Sequence, residues 1–281
     1  MIPINDRKIK LRGWIIITVA VLIVFAFKHI APPVAQDWYE VYKPAAIAMI
    51  SGGTPYNTPG FYNPPWALIP LLPLMILPKG VDLTVFILIG LAAIGWTAYK
   101  LESNEFGIAA IILSMPTITL FWDANIDWLV VLGFALPPQI GLFFVTLKPQ
   151  IGIGVAVYWL VKTWTQGGWR EIIKVFGPVT GATLISFAAY GLWPMVWKDA
   201  PRPGYVGLWP WSIPVGLVLL VIALRKNSIK FAIGAGPCFA TFLEFHSWIG
   251  PLMALVGSTK IIVAVVSAIW IALAVFLIGS S

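Results

Sequence analysis

Cysteine and charge are the two things this sequence has least of. Its single cysteine, Cys238, excludes an internal disulfide framework and any cysteine-based metal cluster. Only 10% of its 281 residues are charged, against about 25% in soluble globular domains, so the chain cannot cover a water-facing surface. It has no Walker-type glycine loop, no Rossmann fingerprint, no His-Glu-x-x-His motif and no Gly-x-Ser-x-Gly elbow. Long arrays of intramembrane acids, which a proton relay would need, are also missing. These absences argue against soluble nucleotide chemistry.

What the chain does have is apolar sequence. Hydrophobic residues make up 59% of it, and its mean hydropathy is +0.90. Runs near the length needed to cross a ~30 Å hydrocarbon core recur at Trp14–Phe27, Leu83–Tyr99, Phe106–Trp122, Trp128–Leu147, Ile151–Val161, Val175–Trp193, Trp211–Leu224, Phe231–Phe245 and Ile261–Ile278. Trp66–Leu77, interrupted by Pro70 and Pro73, spans roughly 18 Å as a helix and reads as re-entrant or interfacial. Trp128–Leu147, broken at Pro137-Pro138, reads as a short helical hairpin. The expected fold is an all-α, polytopic transmembrane bundle in one integral domain over residues 1–281, with about eight to eleven membrane segments. Arg7, Lys8, Lys10 and Arg12 precede the first run and no small-x-small cleavage site follows it, so a retained helix is expected there rather than a signal peptide.

The formal net charge of +7 reads as orientation rather than as a nucleic-acid partner, because basic residues sit at the ends of apolar runs. With the amino terminus in the cytoplasm, the inner side holds Arg7, Lys8, Lys10, Arg12, Lys100, Lys162, Arg170, Lys174, Arg225, Lys226, Lys230 and Lys260. The outer side holds Lys28, Lys43, Lys79, Lys148, Lys198 and Arg202. This arrangement makes residues 31–65 the first outer loop and Pro194–Trp209 a second, and points to a multi-pass protein of the cell membrane.

Chemistry-bearing residues are few. Asp37, in Gln36-Asp37-Trp38-Tyr39-Glu40, falls at the membrane–water boundary, where a carboxylate accepts a proton from a hydroxyl nucleophile or simply stays solvated beside interfacial aromatics. Asp123-Ala124-Asn125-Ile126-Asp127 is a second acidic cluster on the same side, read either as part of a substrate cavity or as a polar helix–helix turn. Carboxylate pairs suit hard cations, but no spacing here approaches a metal signature, so no cofactor is assigned and a divalent metal has no support. Lys148, between two apolar stretches, either snorkels or offers a point charge to a lipid phosphate. Glu244 and His246 are expected near the end of an apolar helix, and the other histidine, His29, lies near the outer end of the first.

The order of these elements is more specific than any one of them. Asp37-Trp38-Tyr39, Ser51-Gly52-Gly53-Thr54-Pro55-Tyr56, Phe61-Tyr62-Asn63-Pro64-Pro65-Trp66, Pro70 and Leu77-Pro78 together resemble the amino-terminal region of glycosyltransferase family 87, among the C-type membrane glycosyltransferases. Asp123-Ala124-Asn125-Ile126-Asp127 is similar to that family's polar Gly-Gln/Asn segment, with Asp123-Ala124 replacing the usual start. Thr146-Leu147-Lys148-Pro149-Gln150 resembles its Lys-Pro-Gln element. The likeness covers roughly the first 165 residues; beyond residue 175 it is a hydrophobic pattern, with Gly236-Pro237 and Gly250-Pro251 loosely similar.

The resemblance implies an inverting hexosyltransferase. It would move a hexose such as mannose from a polyprenyl-phosphate donor to a lipid, glycan or protein hydroxyl on the non-cytoplasmic face. Asp37 would be the general base; Lys148, Gln150, Asp123, Asp127, Tyr62 and His246 would bind substrate. Family members usually carry further helices after the shared core, whereas this sequence stops at Ser281, which leaves a place for a partner membrane protein in acceptor recognition. The alternative is a non-catalytic structural or assembly subunit of a membrane complex. A small transporter ranks below both, because polar residues gather at one face.

Overall fold

The computed structural model describes residues 34–198 and 207–279, with side chains to residue 276. The helix expected at Trp14–Phe27, the residues flanking it up to Pro33, and Arg202 in the second loop lie outside the described residues. Every regular element among those described is helical.

Part of the stretch expected as the first outer loop, residues 31–65, is helical. Asp37–Tyr42 is wound as a π-helix and runs directly into α1, Lys43–Ile50. Short 3-10 turns at Pro65–Ala67 and Ile69–Leu71 and one α-turn at Leu72–Met75 then form a broken apolar stretch, because its prolines interrupt any longer helix.

α2, Val81–Lys100, follows Gly80, whose φ of 88° turns the chain into it. Asp82 in its first turn and Lys100 in its last complement the helix dipole. The run expected over Phe106–Trp122 is in fact two helices, α3 (Glu105–Ile112) and α4 (Met115–Asp123), bent by 49°. Ser114 caps the second, accepting from Thr117 N, and Pro116 suits the start of a helix because it has no N–H to bond.

α5 (Asp127–Gly133) and α6 (Pro138–Val145) form the expected hairpin around Pro137-Pro138. They approach closely at glycine: a Cβ on Gly133 would lie 2.7 Å from the Phe144 Cβ. α7, Pro149–Tyr190, covers the two segments expected at Ile151–Val161 and Val175–Trp193: it is two helical stretches that meet in a kink at Gly168 (φ 60, ψ −146), a conformation that favours glycine. Its first turn is a packing hub. Gly152 sits against the Val145 backbone, Gly154 against that of Ala232, and Gly236 and Gly250 against Ile151.

α8 (Ile213–Lys226) leads through Asn227, in the left-handed region, to α9 (Ile229–Ala235). The helix expected to continue to Phe245 stops here. Gly236–Phe239 is a 3-10 turn containing Pro237, and regular structure resumes only at His246–Trp248 and Ile249–Leu252. α10, Thr259–Gly279, is the last element.

Among the described residues, three helices, α2, α7 and α10, are long and apolar enough to cross a membrane, and the bent α3–α4 pair makes a fourth if it is one span. Only 11% of the apolar window of α10 and 17% of that of α7 is buried within the protein. Leu184, Ile185, Ile271, Val275 and Phe276 are each more than half exposed. Helices apolar on all sides with so little of their surface covered suit a lipid surround.

Candidate functional site

Four elements bring their ends to one cleft. The π-turn supplies Asp37 and Tyr42, the α4–α5 junction Asn125 and Asp127, the α6–α7 junction Lys148, the irregular chain after α9 supplies Glu244, and the 3-10 turn that ends it supplies His246. Local structure aims each of them. Ala124, with φ 54, ends α4 in the left-handed region and reverses the chain so that Asn125 N bonds back to Leu120 O. Lys148 is the extended residue preceding α7, and its carbonyl accepts from Ile151 N and Gly152 N. The loss of helix after Pro237 lets Glu244 and His246 reach the same point, correcting their expected place on a helix.

Asn125 is the centre of the arrangement. Its Nδ2 donates to Asp37 Oδ2 at 2.5 Å. Its Oδ1 accepts from Lys148 Nζ at 2.8 Å, from Ile126 N at 2.7 Å and from Tyr42 OH at 3.4 Å. One amide therefore bridges an acid and an ammonium far apart in sequence. Lys148 also pairs with Asp127 at 2.5 Å and lies 3.8 Å from Glu244. Asp127, with no exposed side-chain surface, accepts from Ser247 Oγ at 2.7 Å and pairs with His246 Nδ1 at 2.8 Å. His246 Nε2 faces Glu244 at 3.1 Å.

These surroundings set protonation. Burial raises Asp37 above the ordinary carboxylate range, only partly offset by Lys148 and the Asn125 bond. That direction suits a group that must take up a proton. Burial alone would lower the His246 imidazolium, but Asp127 on one side and Glu244 on the other outweigh it and push the group up to about 9. Because the folded value lies above the unfolded one, this stabilisation is fully present below about pH 6.5 and is lost as pH rises through about 9. Thermal unfolding in detergent should therefore show a stability loss on the order of 3 kcal/mol across that window, absent from His246→Gln. A wild-type profile as flat as that of the variant would contradict the pairing.

The cleft has a volume of about 550 Å³, within the ~300–1,000 Å³ typical of small-molecule sites. Asp37, Asn125, Lys148 and Glu244 line it, as do Tyr62 and Gln150, together with apolar side chains including Phe239, Phe242 and Trp197. Of the residues expected from sequence, Asp37, Lys148, Gln150 and Tyr62 reach the cleft. Asp127 and His246 stand behind it, holding Lys148 and Glu244 in place. Asp123 is half-buried at the end of α4 and does not line it. Among the described residues no group of three or more His, Cys, Asp or Glu side chains is placed to hold a metal ion. Sequence reasoning left Asn125 out of the site, although it lies between two acids that were named. The only available signal was an amide among the carboxylates.

A second, strongly apolar groove of about 400 Å³ adjoins this cleft and shares Leu147 with it; Trp66, Ile69, Ile140, Phe143 and Phe144 are among its other walls.

Comparison with family models, with curated proteins and with solved structures finds no match to this chain.

Proposed function

We propose that the chain is a polytopic membrane glycosyltransferase of the C type, taking a hexose from a polyprenyl-phosphate donor and placing it, with inversion, on an acceptor hydroxyl at the non-cytoplasmic face. The observation that carries this reading is the Asn125 bridge. A carboxylate held above its usual range and an ammonium are fixed by one amide in a single cleft with partly apolar walls.

Each polar group has a task. The acceptor oxygen attacks the anomeric carbon as its proton passes to Asp37, and the bond from that carbon to the phosphate oxygen breaks. The departing prenyl phosphate gains negative charge. Lys148 has three N–H donors, of which Asp127 and Asn125 engage two, and its charge favours that phosphate in a site largely withdrawn from water. Asn125 keeps the base aligned through its N–H, and Asp127 with His246 keeps the ammonium from swinging away. Lipid around α7 and α10 accommodates the isoprenoid chain.

The resemblance in the amino-terminal motifs and the charge asymmetry of the loops support the same reading and the orientation proposed with it. The test is transfer in proteoliposomes from short-chain polyprenyl-phosphate hexoses, mannose first, to endogenous lipid and glycan acceptors. Product with the anomeric configuration opposite to the donor's is expected. Absence of both transfer and donor binding across the hexose series would overturn the proposal.

A further inference from the structure

Asp82 lies outside the cleft and was not singled out in the sequence, yet it collects more hydrogen bonds than its local role requires. At the start of α2 it accepts from Gly80 N and Leu83 N through Oδ1, each at 2.8 Å, which is enough to close the helix end. Three further donors come from the π-turn and the first residue of α1, some forty residues earlier. Tyr39 OH reaches Oδ1 at 3.0 Å, while Trp38 Nε1 at 3.1 Å and Lys43 Nζ at 2.8 Å reach Oδ2. Trp38 and Asp82 have no exposed surface, and Trp38 packs on Phe86 of α2 at 5.4 Å between ring centroids.

The winding of that turn gives these contacts their meaning. In an α-helix, residues five apart point about 140° away from each other. The i→i+5 bonding of a π-helix, seen here as Lys43 N to Trp38 O, brings them to one side. Two such pairs occur. Asp37 and Tyr42 both meet Asn125, whereas Trp38 and Lys43 both meet Asp82. An α-helical turn would break both coincidences together. The backbone of the segment is held at its other end by Ala35 N bonding to Trp122 O at 2.8 Å, so the turn is tied to α4 as well as to α2.

We infer that Asp82 is a positioning residue, locking the π register of Asp37–Tyr42 through Trp38, Tyr39 and Lys43 so that Asp37 is presented to Asn125 and the cleft. The inference rests on the transferase reading for its kinetic consequence but not for its geometric one. Asp82→Asn keeps the size of the side chain and one acceptor oxygen, but its amide nitrogen cannot accept from Trp38 or Lys43.

Two measurements follow. The first is transfer kinetics in proteoliposomes: Asp82→Asn should lower kcat by roughly 10- to 100-fold, the scale of a misplaced reacting group, with donor KM within about twofold. Tyr39→Phe, which removes only the phenol O–H that reaches Asp82 Oδ1, should give a smaller loss of the same kind, and it serves if the first variant folds poorly. The second needs no transfer activity. Carbodiimide couples to protonated carboxyls, and mass spectrometry of the Asp37 peptide against pH gives the midpoint of that acid. Asp37 moved away from Asn125 and Lys148 changes both its burial and the contacts that offset it, so the midpoint should shift from that of wild type in both variants. A labelling midpoint equal to that of wild type would overturn the inference whether or not the chain transfers sugar. So would a wild-type kcat in Asp82→Asn. A wild type inactive with every donor, combined with the expected shift in labelling, would remove the transferase reading and leave the positioning role standing.

Discussion

Asp37→Asn is expected to lower sugar transfer by about 10²- to 10⁴-fold, the usual contribution of a positioned general base. Asparagine keeps the shape of the side chain but cannot take the acceptor proton. Donor binding should persist, because the phosphate is assigned to Lys148 rather than to the acid; the change should appear in kcat with donor KM within about twofold. In the wild type, burial holds Asp37 above the ordinary carboxylate range. As the base must be ionised, transfer should rise with pH, on an acid limb lying higher than an exposed aspartate would give, and that limb should vanish from the residual activity of the variant. Full activity in Asp37→Asn would remove the proposed mechanism.

Lys148→Met should fail in two separable ways. Lys148 is 7% exposed and its partner Asp127 not at all, so removing the ammonium strips a buried carboxylate of one of its two cationic neighbours. Breaking a buried pair in this way costs about 3–5 kcal/mol, and the lower end is expected because His246 remains. Adding Asp127→Asn to Lys148→Met should recover much of that loss by removing the unpaired charge. It should not recover transfer, because the leaving phosphate still lacks its cation. Thermal unfolding and transfer, measured on the single and double variants, separate these effects. Recovery of both together would mean that Lys148 acts on stability alone.

How far the sequence carried this reading differs between elements. α2 and α10 were legible nearly to their ends, since an unbroken apolar run with a charge at its border leaves little choice. The bend at Ser114, the break after Gly236-Pro237 and the kink of α7 at Gly168 were not. In apolar sequence a single proline or glycine is compatible with either a kink or a full stop, and tertiary packing decides between them. The hub of Gly152, Gly154, Gly236 and Gly250 shows the deciding term, because close backbone contact there fixes where α7 and α9 run.

Within the site, Asp37 and Lys148 were visible as charges where charge is expensive. Asn125 and Asp82 were not, although one bridges the pair and the other anchors the turn. An amide carries no net charge to attract notice, and an acid in the first turn of a helix already has a sufficient local explanation. The π-turn left no sequence signal either: it is visible only through which pairs of side chains arrive together.

The central claim is that Asp37, Asn125 and Lys148 form one site for a lipid-linked sugar phosphate. Its most direct test is a structure of the chain in lipid nanodiscs with a non-transferable polyprenyl-phosphonate hexose. The account predicts the phosphonate within hydrogen-bond reach of Lys148 Nζ and the anomeric carbon on the side of the cleft facing Asp37. A phosphonate seated away from Lys148, or a sugar ring out of reach of Asp37, would contradict it.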